Sequence, residues 1–212
     1  MLNKEFTASF DVDAQNTFTP VCPNELAVPG GDEIAAALNE PATFARIRVG
    51  SKDAHSPHAH HIATETNPQF SPVVGHPELD IHWDQHAIVG TKGYELIDGL
   101  PAVLEYDYFV YKGIEPNQHP YGACYHTLNW RDNKKSTGVI EYLICNDIQN
   151  VIVGGLATDY CVKNTALQLA DAGFNVFLNL KACRGIAPDT IAAALAEMKA
   201  AGVVVVEDIT TL

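Results

Sequence analysis

Residues 151–173 read as a strand, a turn and a helix in unbroken succession, and that succession admits few folds. Val151-Ile152-Val153 is a β-branched run of the kind that packs as a buried strand. Gly154 and Gly155 follow and permit a sharp backbone turn. Thr158 or Asp159 can cap a helix that continues over 162–172 and that Gly173 stops. Similar strands are expected at 6–12, 44–50, 104–111, 174–180 and 203–206. Helices are expected at 32–38, at 136–148, where Val139, Ile140, Leu143, Ile144 and Ile148 keep helical spacing, and at 188–201. Pro188 starts that last helix and Gly202 follows its end. Strands alternating with helices predict an α/β fold: one six-stranded, mostly parallel sheet with helices on both faces.

A chain of 212 residues can bury a substantial core as a single domain, 1–212. Its net charge of −13, without a basic cluster, argues against nucleic acid or an anionic membrane surface as partner. The five cysteines are odd in number and contain no CxxC pair, which argues against a thiol-rich zinc site and a disulfide framework and favours a reducing compartment. Residues 1–5 carry no signal-peptide core, and no apolar run is long enough to span a bilayer. A cytoplasmic protein is the expectation.

In parallel sheets, sites form at the carboxyl ends of the strands. The first four strands here end at Asp13, at Asp53 with His55, at Lys112, and at the glycines leading to Cys161. Cys161 falls in the first turn of its helix, where unpaired N–H groups and the helix dipole favour a thiolate and can hold an oxyanion. The alternative is a cysteine packed as a small hydrophobe. Seven of the nine histidines lie at 55, 58, 60, 61, 76, 82 and 86, all but His55 inside an irregular stretch, 56–101. Asp53 and His55 can point the same way, and a mixed N/O site would suit zinc, iron or manganese. The alternative is a hydrophilic surface loop. A second irregular excursion covers 114–133; long structureless segments inside a compact domain are usually functional.

Five motifs carry a resemblance: Asp13-Ala14-Gln15-Asn16-Thr17-Phe18, Ser51-Lys52-Asp53-Ala54-His55, Trp83-Asp84-Gln85-His86, Tyr111-Lys112-Gly113, and residues 154–162, GGLATDYCV. In this order the chain resembles the nicotinamidases of the isochorismatase-like cysteine hydrolase superfamily, over residues 6–208. The resemblance implies the three-layer fold of that superfamily and a triad of Asp13, Lys112 and Cys161. It implies an oxyanion hole from the N–H groups of Ala157 and Cys161, with a cis peptide between Leu156 and Ala157. Phe18 and Trp83 match positions that sandwich a pyridine ring, and Tyr160 matches a pocket position. One divalent metal, zinc foremost and then iron or manganese, is implied on Asp53, His55 and His86. His61 would be the fourth ligand, with His58, His60 and Glu65 as alternatives. Asp11 and Asp13 share a strand face, so spacing leaves both open, and the offsets to Gln15 and Phe18 select Asp13. The implied reaction is deamidation of nicotinamide to nicotinate through a thioester, in NAD salvage. Superfamily members acting on another small amide or a carbamoyl group generally lack the metal histidines. The longer 114–133 segment would form a lid or a contact in a homo-oligomer.

Overall fold

The computed structural model describes residues 2–211. The strands are β1 (Thr7–Val12), β2 (Ile47–Asp53), β3 (Tyr108–Lys112), β4 (Asn150–Leu156), β5 (Asn175–Arg184) and β6 (Val204–Val206). The α-helices are α1 (Ala35–Ala42), α2 (Val139–Cys145), α3 (Lys163–Asp171) and α4 (Pro188–Ala200). The sheet order is β3-β2-β1-β4-β5-β6, and every neighbouring pair is parallel, so the sheet is wholly rather than mostly parallel. Order reverses between β1 and β4, and a crevice opens at the carboxyl end of the sheet at such a switch.

The core divides into two clusters. The larger packs Phe10, Val49, Val151, Val153 and Leu178 with Val139 and Leu143 of α2, Ala166 of α3 and Met198 of α4. The smaller packs Ala37 and Leu38 of α1 with Ile34, Leu156 and Ala182. Side chains alternate across a strand. Val153 therefore serves the larger cluster, while a Cβ at Gly154 would meet Leu38 and Ala182 on the opposite face. Helices thus cover both faces.

Several boundaries differ from expectation, each for a tertiary reason. The 154–155 glycines continue β4 instead of ending it. Gly155 has φ 137°, and a Cβ there would collide with the Val12 carbonyl, so the glycine allows β1 and β4 to close together at the site. β2 runs on to Asp53 and β5 to Arg184, because the neighbouring strands supply hydrogen-bonding partners beyond the apolar runs. β3 begins only at Tyr108, its forerunner Val103–Glu105 being a 3-10 turn. The expected helix at 32–38 divides into a 3-10 turn, Gly31–Glu33, and α1. No helix among the described residues is long and apolar enough to cross a membrane.

Candidate active site

Four adjacent strand ends deliver the chemistry. Asp13 follows β1 with φ 45°, Asp53 ends β2, Lys112 ends β3, and β4 leads through Ala157 to Cys161. All four of these side chains are buried. Lys112 is the hub: its Nζ lies 2.9 Å from Asp13 Oδ2, 2.5 Å from Asp53 Oδ1 and 3.6 Å from Cys161 Sγ, and it donates to the Pro120 carbonyl at 3.2 Å. Ser51 donates to the other Asp13 oxygen at 2.6 Å. Gln15 clamps Asp53 from the backbone, donating to its carbonyl at 2.9 Å and accepting from its N–H at 2.8 Å.

Geometry separates the two acids of β1. Asp11 accepts from Arg48 Nε at 2.9 Å and from the Tyr106 hydroxyl at 2.8 Å, so it is committed to a structural pair. Asp13 alone faces the lysine and the sulfur.

Burial pushes the Asp13 carboxyl up to about 6, against the pull of Lys112 and with a further push from Asp53. Burial would lower Lys112, but Asp13 and Asp53 outweigh it and hold the ammonium well above its ordinary value. Burial also raises the Cys161 thiol well above its usual range, and Lys112 only partly offsets this. Burial beside two carboxylates therefore reverses the helix-terminus expectation of a thiolate. Two carboxylates and one ammonium already sum to a negative charge, and a thiolate would add another. Cys161 instead rests as a thiol beside a carboxylate able to take its proton.

The segment carrying the thiol is a single π-turn, Thr158–Val162, which passes into α3. The Leu156–Ala157 peptide is cis. The Ala157 carbonyl accepts from the N–H groups of Tyr160 and Val162 and fixes the turn. The Asp159 carboxylate ties the turn to the start of α4 through the Ile186 N–H at 3.1 Å and the Thr190 hydroxyl at 2.5 Å.

Beside Asp13, Lys112 and Cys161 lies a histidine cluster. His55, His61, His86 and His119 are buried, and each offers a ring nitrogen within 4.8 Å of the others. His55 Nδ1 lies 3.0 Å from the Gly113 carbonyl and His86 Nδ1 lies 2.7 Å from the Asp84 carbonyl. Nδ1 is then the donor and Nε2 carries the free lone pair, the usual arrangement for a ligating imidazole. Gly113, with φ 69°, allows the close approach of His55, whose ring would collide with a Cβ there. Neither ring nitrogen of His61 has a hydrogen-bond partner, and burial lowers its pKa to about 3, so it stays neutral. Asp53 Oδ1 lies 3.6 Å from His55 Nε2. Two donors each ~2.1 Å from one zinc in tetrahedral geometry stand ~3.4 Å apart, so this spacing fits a shared ion. Orphaned, neutral imidazoles beside a carboxylate form a donor set suited to a borderline divalent metal. His58, His60 and Glu65, the alternatives for the fourth position, are exposed.

A pocket connects the sulfur to this cluster. Phe18, Trp83 and Tyr160 line it, together with Cys161, Ala157, Asp53 and His86. Trp83 meets Tyr160 edge-on at 4.9 Å and donates from Nε1 to the Tyr121 hydroxyl at 3.0 Å. That hydroxyl donates in turn to Asp80. Tyr121 and His119 also line the pocket, and both come from the 114–133 excursion. Its middle is pinned to α3, where Thr165 and Gln168 accept from the Ala123 and Cys124 N–H groups. This segment is a wall of the site as well as surface. Sequence reasoning missed Ser51, Gln15, His119 and Tyr121; the motif adjacency of Ser51 and Gln15 was the only signal available.

The isochorismatase domain model matches residues 7–209. A nicotinamidase of Acinetobacter baylyi is 32% identical over 197 residues, covering 91% of this chain and 88% of that protein. The solved nicotinamidase/pyrazinamidase of Acinetobacter baumanii superposes with a TM-score of 0.87 at 29% identity, covering 98% of this chain and 99% of the other. The pyrazinamidase of Pyrococcus horikoshii, solved in complex with zinc, superposes with a TM-score of 0.74 at 29% identity, covering 95% and 98%. With its wholly parallel sheet and nearly full-length similarity, this chain belongs to the isochorismatase family, among the nicotinamidase-like members.

Proposed function

We propose that residues 1–212 act as one catalytic domain that hydrolyses nicotinamide to nicotinate and ammonia, in NAD salvage, with Cys161 as nucleophile. The observation that carries this is the placement of one buried ammonium, Lys112, within 2.9 Å of Asp13 and 3.6 Å of the Cys161 sulfur at the pocket wall. The nicotinamidase relatives support the choice of substrate.

An amide needs a strong nucleophile and a protonated leaving group. As the sulfur attacks the carboxamide carbon, Asp13 takes the thiol proton. Lys112 stabilises the charge passing between sulfur and carboxylate. The N–H groups of Ala157 and Cys161 receive the carbonyl oxygen as it becomes an oxyanion; losing one such donor costs ~3–4 kcal/mol of barrier stabilisation. Asp13 returns the proton to the departing nitrogen, which leaves as ammonia, and the sulfur retains a thioester. A water then gives a proton to Asp13 and its oxygen to the acyl carbon. Nicotinate departs and the thiol is restored.

Phe18, Trp83 and Tyr160 shape an aromatic slot for the ring. Asp53, His55, His61 and His86 would hold one divalent metal, zinc foremost; the zinc complex of the Pyrococcus relative supports that choice. When bound, the metal supplies a Lewis-acid anchor for the pyridine nitrogen, directly or through water, which orients the carboxamide over the sulfur. The test is ammonia release from nicotinamide with and without chelator. Expected are turnover by the metal-loaded protein and its loss on chelation. No ammonia from the metal-loaded protein would reject the reading.

A further inference from the structure

We propose that His119 is a further protein ligand of the metal, so that the centre is held by four imidazoles together with Asp53. The inference rests on the reading of this site as a metal centre and extends it to a residue outside the motifs that suggest one.

His119 is 4% exposed, and its Nδ1 is buried with no hydrogen-bond partner. A buried imidazole nitrogen left without a partner forfeits its hydration, so a partner of another kind is expected. Its ring lies 4.3 Å from His61, 5.1 Å from His55 and 5.6 Å from His86, centre to centre. It offers a nitrogen within 4.8 Å of theirs. Two nitrogens on opposite sides of one ion, each at ~2.1 Å, stand ~4.2 Å apart. At no more than 4.8 Å apart, the four nitrogens lie close to that span.

The backbone holds the residue in place. The His119 N–H donates to the Glu78 carbonyl at 3.1 Å, and the next carbonyl, Pro120, accepts from Lys112 Nζ at 3.2 Å. The loop that carries the ligand is thus bonded to the catalytic lysine. Asp53 Oδ1, 3.6 Å from His55 Nε2, would add a carboxylate to these imidazoles. Four imidazoles also favour zinc, iron, cobalt or nickel over magnesium and calcium.

X-ray absorption on the zinc- or cobalt-loaded protein counts the imidazoles directly: four are expected. His119→Gln and His119→Ala should each weaken metal affinity, measured against a competing chelator, by about tenfold or more. Both should also alter the visible absorption of the cobalt form. Three imidazoles in the wild-type protein, or an unchanged affinity and cobalt spectrum in soundly folded variants, would overturn the assignment. A variant that raises KM but leaves the spectrum unchanged would make His119 a pocket wall only, which also overturns it. Failure of the wild-type protein to bind zinc or cobalt would remove the metal reading as a whole. Metal-dependent ammonia release with three imidazoles would remove His119 alone.

Discussion

Replacing Lys112 by methionine isolates the central electrostatic feature of the site. The side chain is 1% exposed, so methionine fills most of its volume, and the ammonium is what is lost. That ammonium lies 2.9 Å from Asp13 and 2.5 Å from Asp53, both fully buried. Removing one partner of a buried ionic group leaves uncompensated charge and costs ~3–5 kcal/mol. For a domain of this size that is a fall in Tm of about 6–20 °C. The carboxylates can escape part of the cost by protonation. Burial and mutual repulsion already raise the Asp13 carboxyl to about 6 with the lysine present, and without it the value rises further. A carboxyl whose folded pKa exceeds its unfolded pKa destabilises the fold at high pH, and the cost fades as pH falls through the folded value. The deficit should therefore be larger at about pH 8 than at about pH 5. Urea unfolding of wild type and variant at both pH values, in chelator so that no bound cation substitutes for the ammonium, measures it. A deficit below ~1 kcal/mol at about pH 8, or one that does not change with pH, would refute the reasoning.

Cys161→Ala should abolish ammonia release while metal content and folding stay unchanged, because Sγ has no part in the histidine cluster; residual turnover at the wild-type rate would exclude the thioester. On the acid side, kcat/KM should rise with pH through about 6, as the Asp13–Lys112 site loses the proton that blocks Asp13 as base. An activity flat across that range would take Asp13 out of the base role. Trp83→Ala should raise KM through lost ring contact, with Tyr121→Phe, which removes the hydroxyl's bonds to the indole and to Asp80 but keeps both rings, having a smaller effect. An unchanged KM in the first variant would remove Trp83 from the binding slot.

Much of this molecule could be read along the chain. The alternation of β-branched runs and helical segments is a local property, and it sufficed for a parallel sheet with helices on both faces. The strand-end positions of Asp13, Asp53, Lys112 and the glycines before Cys161 are equally local, because a parallel sheet presents all its carboxyl ends on one side. Element ends were less legible. Gly154 and Gly155 look like a turn, yet they extend β4 because neighbouring strands pair with them and only glycine fits against Val12.

What the chain order could not decide were the contacts between distant segments. Asp11 and Asp13 are equivalent by spacing, and only the arrival of Arg48 and Tyr106 at one and Lys112 at the other separates them. His58, His60 and His61 are near neighbours in a histidine-rich loop, but the path of the backbone buries one and exposes two. His119 and Tyr121 belong to an excursion without periodicity, and they reach the pocket because Glu78, Lys112 and α3 hold that loop from three sides. The protonation of Cys161 is collective as well: a helix terminus favours the thiolate, but burial beside two carboxylates outweighs it. Periodicity reports which face of an element is buried; which charges then share a buried volume is decided only when the elements pack.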